Sequence, residues 1–515
     1  MSPRAVLRVL AGQLPIAFAI GLALAAIAEM RDLAALGFLA AIGTAGEVAV
    51  LPLLTMLQGP KPLDAERLPG YRRPTPVPTG RVGLALAGLI VWVMVGLVLW
   101  MPGWVAFIGM MLSGLAVVGF LAMAYRSRQT RGAQRERLRK AVAAYGPRFV
   151  IYTGRRNDAS YQLTMWVPIL ERLGVRYLVV LRHGEALRST RSATRAPIVV
   201  LPTGGDLDAI MVPGLQIAFY VNGTADNSSF VSYRSLVHVY LGHGDSDKEL
   251  SVHPMHGMFD RVFVAGQAAI DRYDQAGVVI PREKFVIVGR PQLSRLERPR
   301  QPIGEIAAPR VLFAPTWRGY NARTMLSSLP IGVPIVESLL ERGAVIGFRP
   351  HPFSWLGASE RSEIAAVDEL LRRDREHSGR PHRLASEGRE RETGIAEEFD
   401  ASDALITDVG SVLVDYFATG KPYAVVLPRG TGAEQARLEW PSTVAAYLID
   451  YDAVAEHGQQ ALASSLTDLL QDDPMREDRP AVAERYLGQD PGDDGHFLQE
   501  VRRLLNDTSQ RAVRT

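Results

Sequence analysis

Four apolar runs crowd the first quarter of the chain, and each is about as long as a bilayer's hydrocarbon core requires. Leu10 to Met30 is the first, and Leu33 to Leu57, interrupted only by Glu47, is the second; Val82 to Met101 and Trp104 to Tyr125 follow as a pair around the tight turn Met101-Pro102-Gly103. A helix needs roughly 20 apolar residues to cross lipid, so residues 1–125 read as an all-α region of four transmembrane helices in two hairpins. The first run is too long for a cleaved signal peptide, and another follows at once. Glu47 reads either as an intramembrane functional group or as a carboxyl paired within the bundle.

Positive charge sets the orientation. Arg4 and Arg8 precede the first run; Lys61, Arg67, Arg72, Arg73 and Arg81 occupy the Pro-rich connection between the hairpins; Arg126, Arg128, Arg131, Arg135, Arg137, Arg139 and Lys140 follow the fourth. The turns inside the hairpins hold only Arg31. Both termini and everything after Tyr125 are therefore expected on the cytoplasmic side of a plasma membrane. Residues 126–147 read as a basic juxtamembrane linker. It either rests on anionic headgroups, at on the order of 1 kcal/mol per charge, or is a solvated helix that only fixes topology.

From Arg148 the pattern changes to short apolar strands alternating with helical or loop stretches, the signature of parallel sheets covered by helices. Phe149–Tyr152, Tyr177–Leu181, Ile198–Leu201, Ile217–Val221, Val237–Leu241 and Val262–Ala265 form a first series. After Phe285–Val288 the alternation pauses at a Pro- and Arg-rich link, then resumes with Val311–Ala314, Ala344–Phe348, Ala404–Ile406 and Tyr423–Leu427. The fold class is thus α/β, with two doubly wound halves, 148–290 and 291–515, enclosing a cleft. Residues 459–515 read as helices closing the second half, with a frayed end from about Asp507. A length of 515 residues accommodates this. The near balance of 57 Lys and Arg against 54 Asp and Glu decides little, no nucleic-acid partner is expected, and the lack of cysteine excludes disulfides, thiolate metal sites and a cysteine nucleophile.

Ligands of open parallel sheets bind beyond the carboxyl ends of the strands, so the polar residues just after strands matter most. Four clusters stand there. Val237–Leu241 leads into Gly242-His243-Gly244-Asp245-Ser246-Asp247-Lys248, where glycines leave the imidazole accessible; His243 is either a general base or a loop histidine bonded to backbone. Val311–Ala314 leads into Pro315-Thr316-Trp317-Arg318, where Arg318 would pair with phosphate or stack on Trp317. Ala344–Phe348 leads into Arg349-Pro350-His351-Pro352, where prolines present His351 rigidly or merely stop the strand. Ala404–Ile406 leads through Thr407 and Asp408 into a helix beginning near Gly410, whose first N–H groups suit an anion. An ordinary capped helix would read the same way. In that stretch Gly410 would let a phosphate approach the backbone, Ser411 would donate to it, Asp415 would hold a sugar hydroxyl or a cation, and Lys421 would add charge or cap the helix. Together the clusters form a cationic, donor-rich cleft suited to a nucleotide diphosphate. No H-E-x-x-H spacing and no G-x-x-x-x-G-K-[ST] loop occurs, so the reading requires no cofactor and no resident metal.

The order of these motifs resembles the CDP-glycerol glycerophosphotransferase family, the teichoic-acid primases and polymerases with a GT-B-like fold. Its H-G-x-x-x-K is matched by His243, Gly244 and Lys248; its P-T-W-R by Pro315, Thr316, Trp317 and Arg318; its R-x-H-P by Arg349, His351 and Pro352. Its T-D-Y-S-S-V-x-x-D-[YF] with a later K-P is matched by Thr407, Asp408, Ser411, Val412, Asp415, Tyr416, Lys421 and Pro422. The resemblance covers roughly Arg148 to Asp450 and implies an acceptor-side domain at 148–290 and a nucleotide-donor domain at 291–515. It implies that His243 is the base on an acceptor hydroxyl. It also implies that His351, Arg318, Ser411 and the helix amides hold the donor diphosphate, with CMP leaving. The chain departs from the family at Val409-Gly410, where Tyr-Ser is usual, and at Gln292-Leu293-Ser294, where an arginine and an aspartate are usual.

The resulting expectation is a membrane-anchored transferase that moves glycerol phosphate, or another polyol phosphate, from a CDP-activated donor to a hydroxyl of a lipid-linked cell-envelope glycan. Its partners would be that donor, that acceptor and membrane lipids. A nucleotide-sugar glycosyltransferase fits the same two-domain cleft. A non-catalytic scaffold of envelope synthesis fits the departures.

Overall fold

The computed structural model describes residues 3–57, 63–73, 79–156, 160–248, 251–294, 296–299, 301–319, 326–391, 394–490 and 494–514. Lys61, counted above for orientation, lies outside them, as do the side chains of Arg4, Arg8, Arg81 and Arg128. Two compact units are present. The first draws on Met1–Pro147, Leu178–Leu187 and Ala196–Pro213, and the second on Arg148–Tyr177, Arg188–Arg195 and Gly214–Thr515.

The first unit opens with helices α1 (Pro3–Met30), α2 (Ala34–Leu57), α3 (Thr79–Leu99) and α4 (Gly103–Tyr145). All four are long and apolar enough to cross a membrane. Small side chains let them approach closely: a Cβ on Gly103 would collide with the Leu33 carbonyl. Between them pack Ala40, Val93, Leu97 and Ala106, and separately Ile90, Val117 and Phe120. Outward, Phe18, Leu84 and Leu115 are 69, 75 and 71% exposed, a surface suited to lipid. Glu47 is paired within the bundle, its Oε2 lying 2.5 Å from Ser113 Oγ.

Helix α4 does not stop where its apolar run ends. It continues as one helix through the basic stretch to Tyr145 and is closed by Gly146 at φ 67, so the expected linker is helical. Residues 129–144 are rich in Ala and Arg and contain no proline, which favours continuation.

The chain's strands are β1 (Asp64–Glu66), β2 (Phe149–Thr153), β3 (Tyr177–Leu181), β4 (Ile198–Val200), β5 (Ile217–Tyr220), β6 (Val237–Tyr240), β7 (Arg261–Val264), β8 (Phe285–Ile287), β9 (Arg310–Ala314), β10 (Val345–Phe348), β11 (Ala404–Asp408), β12 (Tyr423–Val426) and β13 (Tyr447–Ile449). In the first unit β4 pairs in parallel with β3 and, on its other side, antiparallel with β1. Strand β1 comes from the connection between the two hairpins, so that connection is stitched to a sheet edge.

A buried carboxylate fastens α4 to the same unit. Asp206 lies in the 3-10 turn Gly204–Ile210 and is fully buried. Its oxygens accept from Arg131 Nε at 3.0 Å, Arg135 Nε at 2.9 Å, and the N–H and hydroxyl of Thr203 at 2.9 and 2.7 Å. Burial alone would raise its pKa, but the bonds from Arg131, Thr203 and Arg135 outweigh it and hold the pKa below the usual value. Arg131 and Arg135 therefore face protein, not the headgroups considered for them above.

The second unit contains two parallel arrays. Strands β2, β5, β6, β7 and β8 lie side by side in that order, and a separate sheet runs β10-β9-β11-β12-β13. Their central strands are buried on both faces, which accounts for the nearly unbroken apolar runs in the sequence. The C-terminal segment meets the expectation in part: Leu462, Leu466, Leu469 and Leu470 pack into the core of the second sheet. The last helix instead returns to the first half: Gln216 Nε2 donates to the Leu505 carbonyl at 3.0 Å, and Phe497 packs 5.3 Å from Trp166 and 5.9 Å from Phe263. Phe497, Leu498, Val501, Leu504 and Leu505 form one apolar stripe that needs this cover, and the helix Asp494–Arg514 runs past Asp507 without a break.

Replacing Asp206 with alanine strands the buried Arg131 guanidinium. We expect Asp206→Ala to cost about 3–5 kcal/mol, read as a lowered unfolding midpoint of the detergent-solubilised protein, whereas Glu136→Ala on the exposed face of α4 leaves the midpoint within about a degree.

Candidate active site

The loop after β6 supplies the first imidazole. Gly242 takes a left-handed φ of 66, and its carbonyl accepts from Trp166 Nε1 at 2.8 Å. The chain thereby turns His243 so that Nδ1 lies 3.1 Å from the Val221 carbonyl. A carbonyl can only accept, so Nδ1 carries the hydrogen and Nε2 keeps its lone pair. Burial, reinforced by the charges of Arg155 and Arg290, lowers the His243 pKa to about 4, so the ring is neutral around pH 7.

The rest of the loop is tied across to the other sheet. Asp247 accepts from the Ser442 N–H and the Tyr486 hydroxyl, both at 2.8 Å, while Arg272 pairs with Asp245 and Asp247. Lys248 then reaches Thr316 Oγ1 at 3.0 Å. Burial lowers the lysine's pKa, opposed by Asp408.

Opposite, the segments that follow β9, β10 and β11 converge. The His351 N–H donates to the Pro315 carbonyl at 3.0 Å, and its Nδ1 accepts from the Phe353 N–H at 3.1 Å. An N–H can only donate, so here the ring hydrogen sits on Nε2. The two imidazoles thus carry opposite tautomers: His243 offers a lone pair and His351 a hydrogen. Burial lowers the His351 pKa to about 4, helped by Lys248. Trp317 and Phe353 flank the ring at 6.2 and 5.2 Å. Arg349 stands 3.6 Å from Glu398 Oε1, and burial lowers its pKa against the opposing pull of that carboxylate.

The turn after β11 closes the arrangement. A Cβ on Gly244 would fall 3.3 Å from Ser411 Cβ, so the loop bearing His243 lies against the start of helix Ser411–Tyr416. Gly410 is extended at φ 174, and a Cβ there would meet Lys248 Nζ at 3.5 Å, an ordinary contact. Neither backbone conformation nor crowding demands a glycine at that position.

These segments surround a cleft of about 380 Å³ that His243, Lys248, Thr316, Arg349, His351, Gly410 and Ser411 line together. Four expected site residues are otherwise engaged. Arg318 bonds Glu363 Oε1 at 2.5 Å and lies 3.6 Å from Glu360, outside the cleft lining, because helix Ala358–Ser378 offers it two carboxylates. Asp415 is buried in a two-point pair with Arg290, Nε and Nη2 each 2.8 Å from a carboxylate oxygen, and lies outside the cleft lining. The Thr407 hydroxyl donates to the Ala314 carbonyl at 2.6 Å. Asp408 accepts from the N–H groups of Thr316 at 2.7 Å and Ser328 at 3.1 Å; burial lifts its pKa to about 7, against those bonds and Lys248. Thr407 and Asp408 line the cleft with these bonds already made. Lys421 caps the carbonyls of Phe399 and Ser402 at 2.7 and 2.6 Å.

The cleft also contains residues not singled out from sequence: Arg155, Tyr161 and Arg290. Tyr161 meets His243 edge-on at 5.9 Å. Arg155 follows the end of β2, so the strand-end rule would have found it. Among the described residues no three His, Asp or Glu side chains are grouped as metal ligands would be.

Two parallel sheets beside a cleft that gathers imidazoles, guanidinium, ammonium and a helix start form an α/β, GT-B-like fold. The second sheet carries the more specific likeness: residues 300–428 match the model of the CDP-glycerol:poly(glycerophosphate) glycerophosphotransferase family. No curated protein matches the chain at a significant level. Among solved structures, the wall teichoic acid polymerase TagF is similar over 76% of this chain and 97% of its own, at 15% identity and a TM-score of 0.46. UDP-GlcNAc 2-epimerase from Neisseria meningitidis is similar over 70% of this chain and 99% of its own, at 12% identity and a TM-score of 0.41.

Three histidines make stability pH-dependent. His243, His256 and His351 have folded pKa values of about 4 against an ordinary 6.5, so between those values the unfolded chain binds more protons. Their contribution is full above pH 6.5 and is lost as pH falls towards 4; Asp408, raised to about 7, works the other way over much of that window but is one group against three. We expect the thermal midpoint to fall from pH 6.5 to 4, and to fall less steeply in His243→Asn/His351→Asn, as followed by circular dichroism.

Proposed function

We propose that the protein transfers glycerol phosphate from CDP-glycerol to a hydroxyl of a lipid-linked cell-envelope glycan and releases CMP. The observation that carries this reading is the meeting, in one cleft, of the glycerophosphotransferase-family segments bearing Arg349, His351 and Ser411 with His243 from the other sheet. The acceptor oxygen attacks the phosphorus that bears glycerol, forming one P–O bond as the bridging P–O bond to CMP breaks. Its proton passes to His243 Nε2, the atom left free by the Val221 carbonyl. The electron pair of the broken bond leaves on CMP, where the His351 Nε2 hydrogen, Lys248, Arg349, the Ser411 hydroxyl and the adjacent N–H groups stabilise it. Thr316 steers Lys248. Arg318, Thr407, Asp408 and Asp415 act on the shape of the site and not on the donor.

In this reading the four apolar helices anchor the enzyme in the plasma membrane with its catalytic part in the cytoplasm. Two features support that side. The basic residues gather on the connection between the hairpins and after α4, and the pairing of β1 with β4 keeps that connection beside the strands that follow α4. An acceptor carried on a lipid would be met at the surface where the enzyme is anchored.

Membranes containing the protein, given CDP-glycerol and a lipid-linked glycan acceptor, should release CMP. His243→Ala should lower that release by about 10²–10⁴-fold while CDP-glycerol still raises the protein's thermal midpoint. Unchanged release would remove His243 from the reaction, and a donor panel in which UDP-sugars replace CDP-glycerol would redirect the reading to glycosyl transfer.

A further inference from the structure

A second cavity lies against the second sheet and, among the described residues, shares no lining residue with the cleft. It measures about 280 Å³, and strands β9 and β10 wall it with apolar side chains such as Val311 and Ile346. Its charged groups are Arg310, Arg383 and Glu398. Arg383 is held by its backbone: its N–H donates to the Ile346 carbonyl and its carbonyl accepts from the Phe348 N–H, both at 2.9 Å, so the residue is bolted to the edge of β10. Arg310 opens β9. Its backbone N–H donates to Asp403 Oδ2 at 2.8 Å, but among the described residues its guanidinium has no hydrogen-bond or ion-pair partner.

One carboxylate joins this cavity to the cleft. Glu398 is buried, and a single oxygen, Oε1, lies 2.8 Å from Arg383 Nη2 on the cavity side and 3.6 Å from Arg349 Nη1 on the cleft side. Burial raises the Glu398 pKa, and Arg383 opposes that more strongly than Arg349 does. The shorter bond commits the carboxylate to Arg383 and leaves Arg349 to face the cleft. A buried carboxylate does not stand uncompensated. Once Arg383 is drawn to another anion, the guanidinium left beside Glu398 is Arg349. The cavity itself sets two guanidiniums against one carboxylate that is already shared with a third. That surplus of charge, presented as rigid forks of donors, matches a small phosphate anion.

We propose that this cavity is a second anion site, holding a small phosphate with Arg310 and Arg383, and that Glu398 relays its occupancy to Arg349 and so loosens the hold of the cleft on its donor. The site stands apart from the transfer reading above, and its effect on turnover rests on that reading. Arg310 and Arg383 bind the anion. Glu398 is a positioning residue: it touches no substrate and acts through Arg349.

Inorganic phosphate is the probe. Titrated calorimetrically into detergent-solubilised protein saturated with CDP, which keeps phosphate out of the cleft, it should bind; Arg310→Gln and Arg383→Gln should each weaken that binding about tenfold or more. No binding, or binding that both variants retain unchanged, overturns the proposal. In turnover, phosphate should raise the KM for CDP-glycerol about fivefold or more, up to a plateau, with kcat held within about twofold. Arg310→Gln should keep the phosphate-free KM and need about tenfold more phosphate for the same rise. Arg383→Gln should show the raised KM without phosphate, since Glu398 is then left to Arg349, and should respond to phosphate no further. In Glu398→Gln phosphate should still bind while the KM ignores it. A rise without a plateau that persists in Arg310→Gln and Arg383→Gln is phosphate competing in the cleft and overturns the relay, as does a KM that phosphate leaves unchanged. Should the calorimetric differences appear while no CMP is released from CDP-glycerol, the anion site stands and the transfer reading is the one that fails.

Discussion

Asp247 is the point on which the cleft depends. A loop with two glycines has little reason of its own to hold one conformation, and the loop after β6 must present His243 and Lys248 together. The Asp247 carboxylate receives the Ser442 N–H, the Tyr486 hydroxyl and Arg272, so one buried acid gathers donors from the second sheet's side, from the returning C-terminal segment and from the helix after β7. Burying a charge is tolerated only when its acceptors are filled, and here they are filled by groups that could come together in few other ways. The same arrangement explains why the C-terminal helices cross back: Tyr486 is delivered to Asp247 by that crossing.

The two imidazoles show how much of a site's chemistry lies in backbone placed around it. Both are half-buried, both are neutral near pH 7, and both sit just after strands. What distinguishes them is that one Nδ1 meets a carbonyl and the other an N–H. That difference alone assigns one ring as acceptor and the other as donor towards the space between them.

The strands were legible because they are buried on both faces, and their ends were located within a residue or two. β1 and β13 were not: Asp-Ala-Glu in a Pro-rich connection carries no apolar signal, and Tyr447–Ile449 is only three residues long; what makes β1 a strand is the edge of β4. The site was legible to the extent that a residue after a strand reaches the cleft by position alone, as His243, Lys248, Arg349, His351 and Ser411 do. Position says nothing about which partner a long side chain will prefer. Arg318 finds Glu360 and Glu363 on a helix more than forty residues on, and Asp415 finds Arg290 at a separation of 125. Neither partner is visible to a reading of local pattern. Arg155 obeyed the strand-end rule and was passed over because no glycine–histidine or proline pattern marked it.

Helix α4 is a single rod of 43 residues, roughly 65 Å at 1.5 Å per residue, about twice the thickness of the layer its apolar part is suited to cross. A rod without a proline or other break at the headgroup level has no cheap place to bend. Any tilt that its inner half adopts to match a thinner or thicker bilayer is therefore carried outward as sideways displacement, and Arg131 and Arg135 deliver it to Asp206. Lipid thickness, a property of the surroundings, becomes a mechanical input to the strands that β1 and Asp206 hold.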